Sequence, residues 1–148
     1  MLPERTAIVT AGVDLQDDRV EVSVYAWTKA EECWLMAHQV IPGDPSTPAL
    51  WAALDGFLLK PWARSTCTPC ASTAAAIKGL VGLPFFEQLT SEYLKTGYRR
   101  GRPERSWERR KGRAAEAWDC SVYAVAAIHG LASHGVSLDI EADRVELD

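Results

Sequence analysis

The sequence lacks several features that would place it in a large class of proteins. It has only four irregularly spaced cysteines, too few for the disulfide framework of a small secreted domain. No apolar run reaches the roughly 18 residues of a membrane-spanning helix, and the opening Met1–Arg5 lacks the apolar block of a signal peptide. No Gly-x-x-x-x-Gly-Lys-[Ser/Thr] motif is present, which excludes a P-loop ATP site. We therefore expect a cytoplasmic protein with reduced thiols and no membrane contact.

The composition fits one globular domain with a local concentration of positive charge. The 148 residues are 47% apolar and include six tryptophans, enough for a hydrophobic core. The formal net charge is −4, yet one short stretch is strongly basic. Its basic residues are Arg99, Arg100, Arg102, Arg105, Arg109, Arg110, Lys111 and Arg113. Such a stretch either contacts the phosphate backbone of DNA or is a solvated charge run.

The first 41 residues predict a three-stranded antiparallel meander. The apolar, β-branched run that begins at Thr6 favours a central strand covered on both faces, and it ends in Asp14. Strict alternation over Arg19–Trp27 predicts a half-buried second strand, and Glu32–Ile41 predicts a third. A strand-end carboxylate lies at a cleft, pairs with a cation or binds a metal, or it simply begins an Asx turn. The strand alone leaves these interpretations open.

Helices are predicted in three places after the meander. One spans Ser46–Leu59, with Ser46 or Thr47 as N-cap and an apolar stripe that includes Trp51, Leu54 and Leu58. A short one spans Pro84–Tyr93 with Phe85, Phe86 and Leu89 inward, and a long one spans 114–133. The weak pattern of 62–82 allows a short strand over 74–77, and the basic stretch 98–113 predicts a long loop or a hairpin.

The long predicted helix carries two acids on one side. Spacings of three and four residues place Glu116, Asp119 and Tyr123 along one face, next to an apolar stripe. That stripe consists of Trp118, Val122 and Val125. Acids in a first turn also interact favourably with the helix dipole without any chemistry. The spacing is therefore compatible with a site and with a structural role.

Several segments, in the same order, resemble the nuclease domain of bacteriophage terminase large subunits of the lambda type. The opening is similar over Thr10–Gln16 and Asp18–Glu21, and the closing part over Phe86–Glu92 and Glu116–Ala127. The resemblance implies an α/β, ribonuclease H-like fold, in which helices flank the antiparallel three-stranded meander and the middle is shortened. Residues 1–135 would form this nuclease domain, shortened near 62–82, and residues 136–148 an acidic C-terminal tail.

The resemblance implies a DNA endonuclease that cuts viral DNA during genome packaging. In such enzymes two Mg²⁺ or Mn²⁺ ions activate a water and stabilise the departing oxygen. Asp14 would bridge the ions, Asp119 would be the late ligand, and Glu116 would assist. The eight basic residues would follow the DNA backbone. The implied partners are double-stranded DNA, the terminase small subunit, the packaging ATPase and the procapsid portal, in the cytoplasm of the bacterial host.

The chain departs from this family in its middle. The family has a second strand-borne Asp there, whereas 62–82 contains no acid, and Ala115 stands where the family has Asn. A degenerate remnant that binds DNA without cutting it is therefore an alternative. A zinc-stabilised interaction module is another, because Cys67 and Cys70 have zinc-ligand spacing. For the nuclease we expect the carboxylates of Asp14 and Asp119 within about 10 Å, and at most weak, Mn²⁺-favoured nicking.

Overall fold

The computed structural model describes residues 2–3, 5–62 and 81–147. The elements of these ranges are β1 (Ile8–Leu15), β2 (Arg19–Trp27), β3 (Cys33–Pro42), α1 (Pro48–Leu58), α2 (Leu83–Leu89), β4 (Glu92–Arg99), β5 (Arg102–Arg109), α3 (Glu116–Ser133) and α4 (Leu138–Leu147). None of the described helices is long and apolar enough to cross a membrane. The predicted strand 74–77 and the cysteine pair Cys67 and Cys70 lie outside the described residues. The fold is mixed α/β, with antiparallel strands.

The first sheet confirms the predicted meander but changes which strand is central. Strands β1, β2 and β3 are antiparallel and adjacent in that order. Among the described strands β1 pairs only with β2, so the prediction that β1 is central is wrong for this part of the chain. The central strand is β2, and seven of its nine residues are buried. Its polar positions are therefore covered as well, contrary to the half-buried strand that the alternation predicts.

One face of this sheet packs on α1. Val20, Val22, Val24 and Ala26 of β2 meet helix α1 at Leu50 and Leu54. Helix α1 begins after Thr47 with Pro48 in its first turn, as predicted.

The predicted stripe of α1 is wrong at two positions. Trp51 and Leu58 are 43% and 39% exposed, whereas Leu50 is buried. The stripes that begin at residues 50 and 51 have the same helical spacing. The Trp51 indole N–H donates to the Pro45 carbonyl outside the helix, at 2.9 Å, and this fixes its ring away from the core.

The other face of the sheet packs unusually closely on α3. A Cβ atom added at Gly12 of β1 would lie 1.7 Å from the carbonyl oxygen of Cys120, so only glycine allows this approach. The Thr10 hydroxyl donates to the Ala124 carbonyl at 3.0 Å, and it accepts the Trp27 indole N–H at 2.7 Å. These contacts hold the helix directly against β1.

This close approach decides which residues of α3 are buried. The buried residues are mostly small and are Ala117, Cys120, Ala124 and Ile128. The predicted apolar stripe is therefore wrong, since its three residues are 38% to 42% exposed. Backbone contact between β1 and α3 leaves no room for Trp or Val side chains.

Helix α2 is followed by a β-hairpin. Within α2, Phe85 is buried, whereas Phe86 is 41% exposed. Strands β4 and β5 pair in register from Glu92 and Arg109 to Arg99 and Arg102. The two turn residues, Arg100 and Gly101, have φ of 53° and 76°, the left-handed pair of a type I′ hairpin turn. Of the two predictions for the basic stretch, a long loop or a hairpin, the hairpin is confirmed.

Helix α4 lies within the segment 136–148, for which the sequence predicts an acidic tail. Its acids bind the 3-10 turn Lys29–Glu31 that joins β2 to β3. The Lys29 ammonium lies 2.6 Å from Asp143 Oδ1, and the Ala30 N–H donates to Asp139 at 3.1 Å. Ala30 has a φ of 58°, a left-handed conformation that costs a non-glycine residue energy. The acids of α4 stabilise this strained turn.

Candidate functional site

The packing of α3 on β1 brings the two acid-bearing elements of the sequence together. Asp14 lies on the same face of β1 as Gly12, because alternate residues of a strand share a face. Asp119 directly precedes Cys120, whose carbonyl lies against Gly12. The end of β1 and the first turns of α3 are therefore adjacent. The separation between the carboxylates of Asp14 and Asp119 stays a prediction.

Asp14 is partly exposed and is held by a residue that directly follows its strand. Its Oδ2 accepts a hydrogen bond from the Gln16 side-chain amide at 2.6 Å. The thiol of Cys120 is buried and donates to the Glu21 carbonyl at 3.2 Å. Burial above all raises the pKa of Cys120 to about 12. Cys120 is thus a protonated structural donor, without the thiolate that a nucleophile needs.

The two acids of α3 lie in its first turn, and each is paired with an arginine. Glu116 Oε1 lies 3.3 Å from Arg19 of β2, and Asp119 Oδ2 lies 3.5 Å from Arg109 of β5. The helix starts without a side-chain cap at Ala115. Instead, the side-chain oxygen of Gln88 on α2 accepts the N–H of Ala117 at 2.7 Å. The helix N-terminus also favours negative charge here.

Glu21 is a further acid of this site that the sequence reasoning missed. It is directly opposite Asp14 in the register of β1 and β2, and it is only 3% exposed. Its place between Val20 and Val22 is typical of a solvent-facing position, which is why the alternation hid it. The signal that could have found it is the short turn after Asp14, because a tight turn fixes which residues of the two strands are opposite.

The two carboxylate oxygens of Glu21 have different surroundings. Oε1 accepts from the Arg19 Nε–H at 3.0 Å. Oε2 has no hydrogen-bond partner within the described part of the chain and lies 3.6 Å from His38 Nε2. Burial lowers the pKa of His38, and the charge of Glu21 opposes this shift in part. His38 Nδ1 in turn contacts the Ser23 hydroxyl at 3.0 Å.

Arg19 joins three carboxylates of this region. Its guanidinium lies 2.8 Å from Asp18, 3.0 Å from Glu21 and 3.3 Å from Glu116. The hydrogen bond to Glu21 is the main reason that the pKa of Arg19 is raised. The carboxylates at the junction of β1, β2 and α3 are Asp14, Glu21, Glu116 and Asp119. Two arginines pair with three of these four acids, since Arg19 and Arg109 leave out only Asp14.

The donor chemistry of this cluster suits a hard divalent cation. Glu21 Oε2 and Glu116 Oε2 are both buried without a hydrogen-bond partner among the described residues. A buried carboxylate oxygen without a partner is costly, and a cation would remove that cost. Residues 2–3, 5–62 and 81–147 contain no group of three acids, histidines or cysteines already arranged around one metal position. The guanidinium of Arg19 holds two of the acids instead.

Six of the eight basic residues divide into two sets of three. Three are bound within the molecule: Arg109 by Asp119, Arg113 by Glu87 at 3.0 Å, and Arg110 over the Tyr93 ring at 5.5 Å. Arg99, Arg100 and Arg102 line a shallow cavity of about 590 Å³ at the hairpin turn. Arg109 thus connects a basic hairpin to an acid of the candidate site.

Two comparisons with known proteins bear on this chain. Residues 1–80 and 76–140 match the family model described as terminase large subunit gpA, endonuclease domain. Over 63 residues the chain is 36% identical to the terminase large subunit of Escherichia phage lambda, which is 43% of this chain and 10% of that protein. The chain thus spans about a tenth of the length of this relative. No solved structure matches it.

Proposed function

Because the chain belongs to the family of terminase large subunit gpA endonuclease domains, we propose that it cleaves DNA in viral genome packaging. The observation that carries the proposal is the contact of Gly12 with Cys120, which joins the strand-end acid to the first turn of α3. The nearby buried carboxylate oxygens have the chemistry of a cation site. We include a ribonuclease H-like arrangement in the proposal, since the meander bears an acid on β1 and a helix across its face.

The proposed ligands of the divalent cations are Asp14, Glu116 and Asp119. Bound Mg²⁺ or Mn²⁺, two ions in the proposal, would lower the pKa of a water and stabilise the charge on the leaving oxygen. The chain's own residues hold the acids ready for this role. Gln16 orients the Asp14 carboxylate, and the N-terminus of α3 and Arg109 hold Asp119 in place.

The proposed substrate is double-stranded DNA, held by the hairpin of β4 and β5. The arginines of its turn project beyond the part of the hairpin that Arg109 joins to Asp119. Phosphates bound there would lie along the path toward the acids. Packaging partners such as the small subunit, the ATPase and the portal belong to the same proposal. We place this reaction in the cytoplasm of the bacterial host.

Nicking of supercoiled plasmid by the purified chain tests the proposal. We expect weak nicking that Mn²⁺ supports better than Mg²⁺, because Mn²⁺ binds such ligands more tightly. Asp14→Asn and Asp119→Asn should each abolish nicking while DNA binding, followed by fluorescence anisotropy, is retained. Asp55→Asn, an exposed acid of α1, is the matched control and should cut normally. Nicking that persists in Asp14→Asn or in EDTA would contradict the proposal.

A second candidate function is DNA binding without cleavage. The pairing of three acids with Arg19 and Arg109 favours it, and so does the absence of any acid in 62–82. In that case the chain binds DNA in a salt-sensitive manner, and neither Mg²⁺ nor Mn²⁺ produces nicks. The plasmid assay and the anisotropy measurement together separate the two functions.

A further inference from the structure

A deeply buried glutamate lies next to the proposed site with its hydrogen bonding incomplete. Glu21 is 3% exposed, and its Oε2 has no hydrogen-bond partner in the described part of the chain. His38 Nε2 lies 3.6 Å from this oxygen, too far for a hydrogen bond. An ionised carboxylate without full pairing is among the costliest groups to bury. Its burial in this position needs a reason.

The position of Glu21 relative to Asp14 supplies that reason. The two residues are directly opposite in the β1 and β2 register, so their side chains leave the same face of the sheet. That face is the one on which α3 packs. Like charges directly opposite each other across strands are destabilising, and a divalent cation between them reverses the sign of this interaction.

Arg19 already behaves as the cation of this group. Its guanidinium contacts Glu21 and Glu116 at 3.0 Å and 3.3 Å, and each of these acids keeps a second, buried oxygen without a partner. One monovalent cation thus satisfies one oxygen of each acid. The remaining oxygens are the free donors that a second cation requires.

We propose that Glu21 is a carboxylate ligand of the divalent cation site, together with Asp14. This inference rests on the proposed function and supplies an acid from β2 where the middle segment has none. Arg19 opposes the metal, because its positive charge already lies against the carboxylate of Glu21. When a metal binds, the guanidinium can keep its contact with Asp18, whose side chain is 76% exposed.

Binding of Mn²⁺ to the full chain, without DNA, tests the inference. Free Mn²⁺ is measured by electron paramagnetic resonance, and the melting temperature is recorded in EDTA and in Mn²⁺. Glu21→Gln should weaken Mn²⁺ affinity at least about tenfold and remove the Mn²⁺-dependent rise in Tm. Asp18→Asn removes an equal charge that also contacts Arg19, and its affinity should stay within about twofold, because this acid is exposed and screened.

Arg19→Met is the second variant, at a residue whose own side chain is 31% exposed. It removes the competing cation, so Mn²⁺ should bind more tightly than to the unchanged chain. If Glu21 only anchors Arg19, Glu21→Gln and Arg19→Met should both lower the Tm in EDTA and leave the Mn²⁺ affinity unchanged. That result overturns the inference. Asp14-dependent Mn²⁺ binding that survives Glu21→Gln also overturns it but leaves the proposed function intact. A chain that binds no Mn²⁺ contradicts both.

Discussion

Replacing Gly12 by alanine should separate helix α3 from strand β1. The added Cβ would lie 1.7 Å from the Cys120 carbonyl oxygen and 2.8 Å from the Ala124 nitrogen. Both are backbone atoms, so no side-chain rotation relieves the overlap. An ordinary carbon to oxygen contact is about 3.3 Å, so the helix must move by about 1.6 Å at this point.

The cost follows from what this movement breaks. Overpacking a core costs about 1–3 kcal/mol. The hydrogen bonds from Thr10 to Ala124 and between Tyr25 and Ser121, at 3.0 Å and 2.7 Å, contribute about 1 kcal/mol each. The smaller entropy of an unfolded alanine returns about 0.4–1 kcal/mol. We expect Gly12→Ala to lower the free energy of unfolding by about 2–5 kcal/mol.

Urea unfolding followed by far-ultraviolet circular dichroism measures this loss. Gly130→Ala is the matched control, because Gly130 lies within α3 and a Cβ there would meet nothing within 4 Å. That variant should be more stable by up to about 1 kcal/mol, through helix propensity. A cost of Gly12→Ala below about 1 kcal/mol, or an equal loss in Gly130→Ala, would refute the reasoning.

Three further measurements test other contacts of the fold. Thr10→Val leaves the Trp27 indole N–H unpaired and removes the bond to the Ala124 carbonyl, so it should cost about 2–4 kcal/mol in urea, whereas a loss under about 0.5 kcal/mol would count against that pairing. Burial raises the pKa of Tyr25, so its contribution to stability is complete below pH about 10 and is lost as the pH rises through the folded pKa; Tyr25→Phe should lack this alkaline loss. Replacing four arginines by glutamine should reduce the magnitude of the slope of log affinity for DNA against log salt concentration by about 0.9 per lost phosphate contact, or at most about 3.6. An unchanged slope would favour a solvated charge run. The four are Arg99, Arg100, Arg102 and Arg105.

The sequence predicted most elements because their signals are local. The alternation of β2, the proline after Thr47 and the alanine-rich run of α3 each follow from short-range physics. Which face of a helix is buried does not. Two sets of residues in α3 have comparable helical spacing: 117, 120 and 124, and 118, 122 and 125. Hydrophobicity alone favours the second set, because its side chains are larger. Only the presence of Gly12 on the facing strand selects the small one.

The acids of the site were only partly predictable for a similar reason. Asp14, Glu116 and Asp119 stand out locally, as a strand-end acid and a helical pair. Glu21 does not, because its burial depends on α3 covering a face that alternation predicts to be exposed. Its position opposite Asp14 follows from the register of β1 and β2, which the alternation alone does not fix.

The long sequence separation between β1 and α3 determines when the two elements can pack together during synthesis. All three strands of the meander precede residue 43, whereas α3 begins at Glu116. At about 5–20 residues per second, a ribosome needs about 4–15 s to make the intervening chain. During this interval the sheet face with Asp14 and Glu21 has no helix across it. Strand β1 and helix α3 therefore pack together only at a late step of folding, after the residues up to the end of α3 have been made.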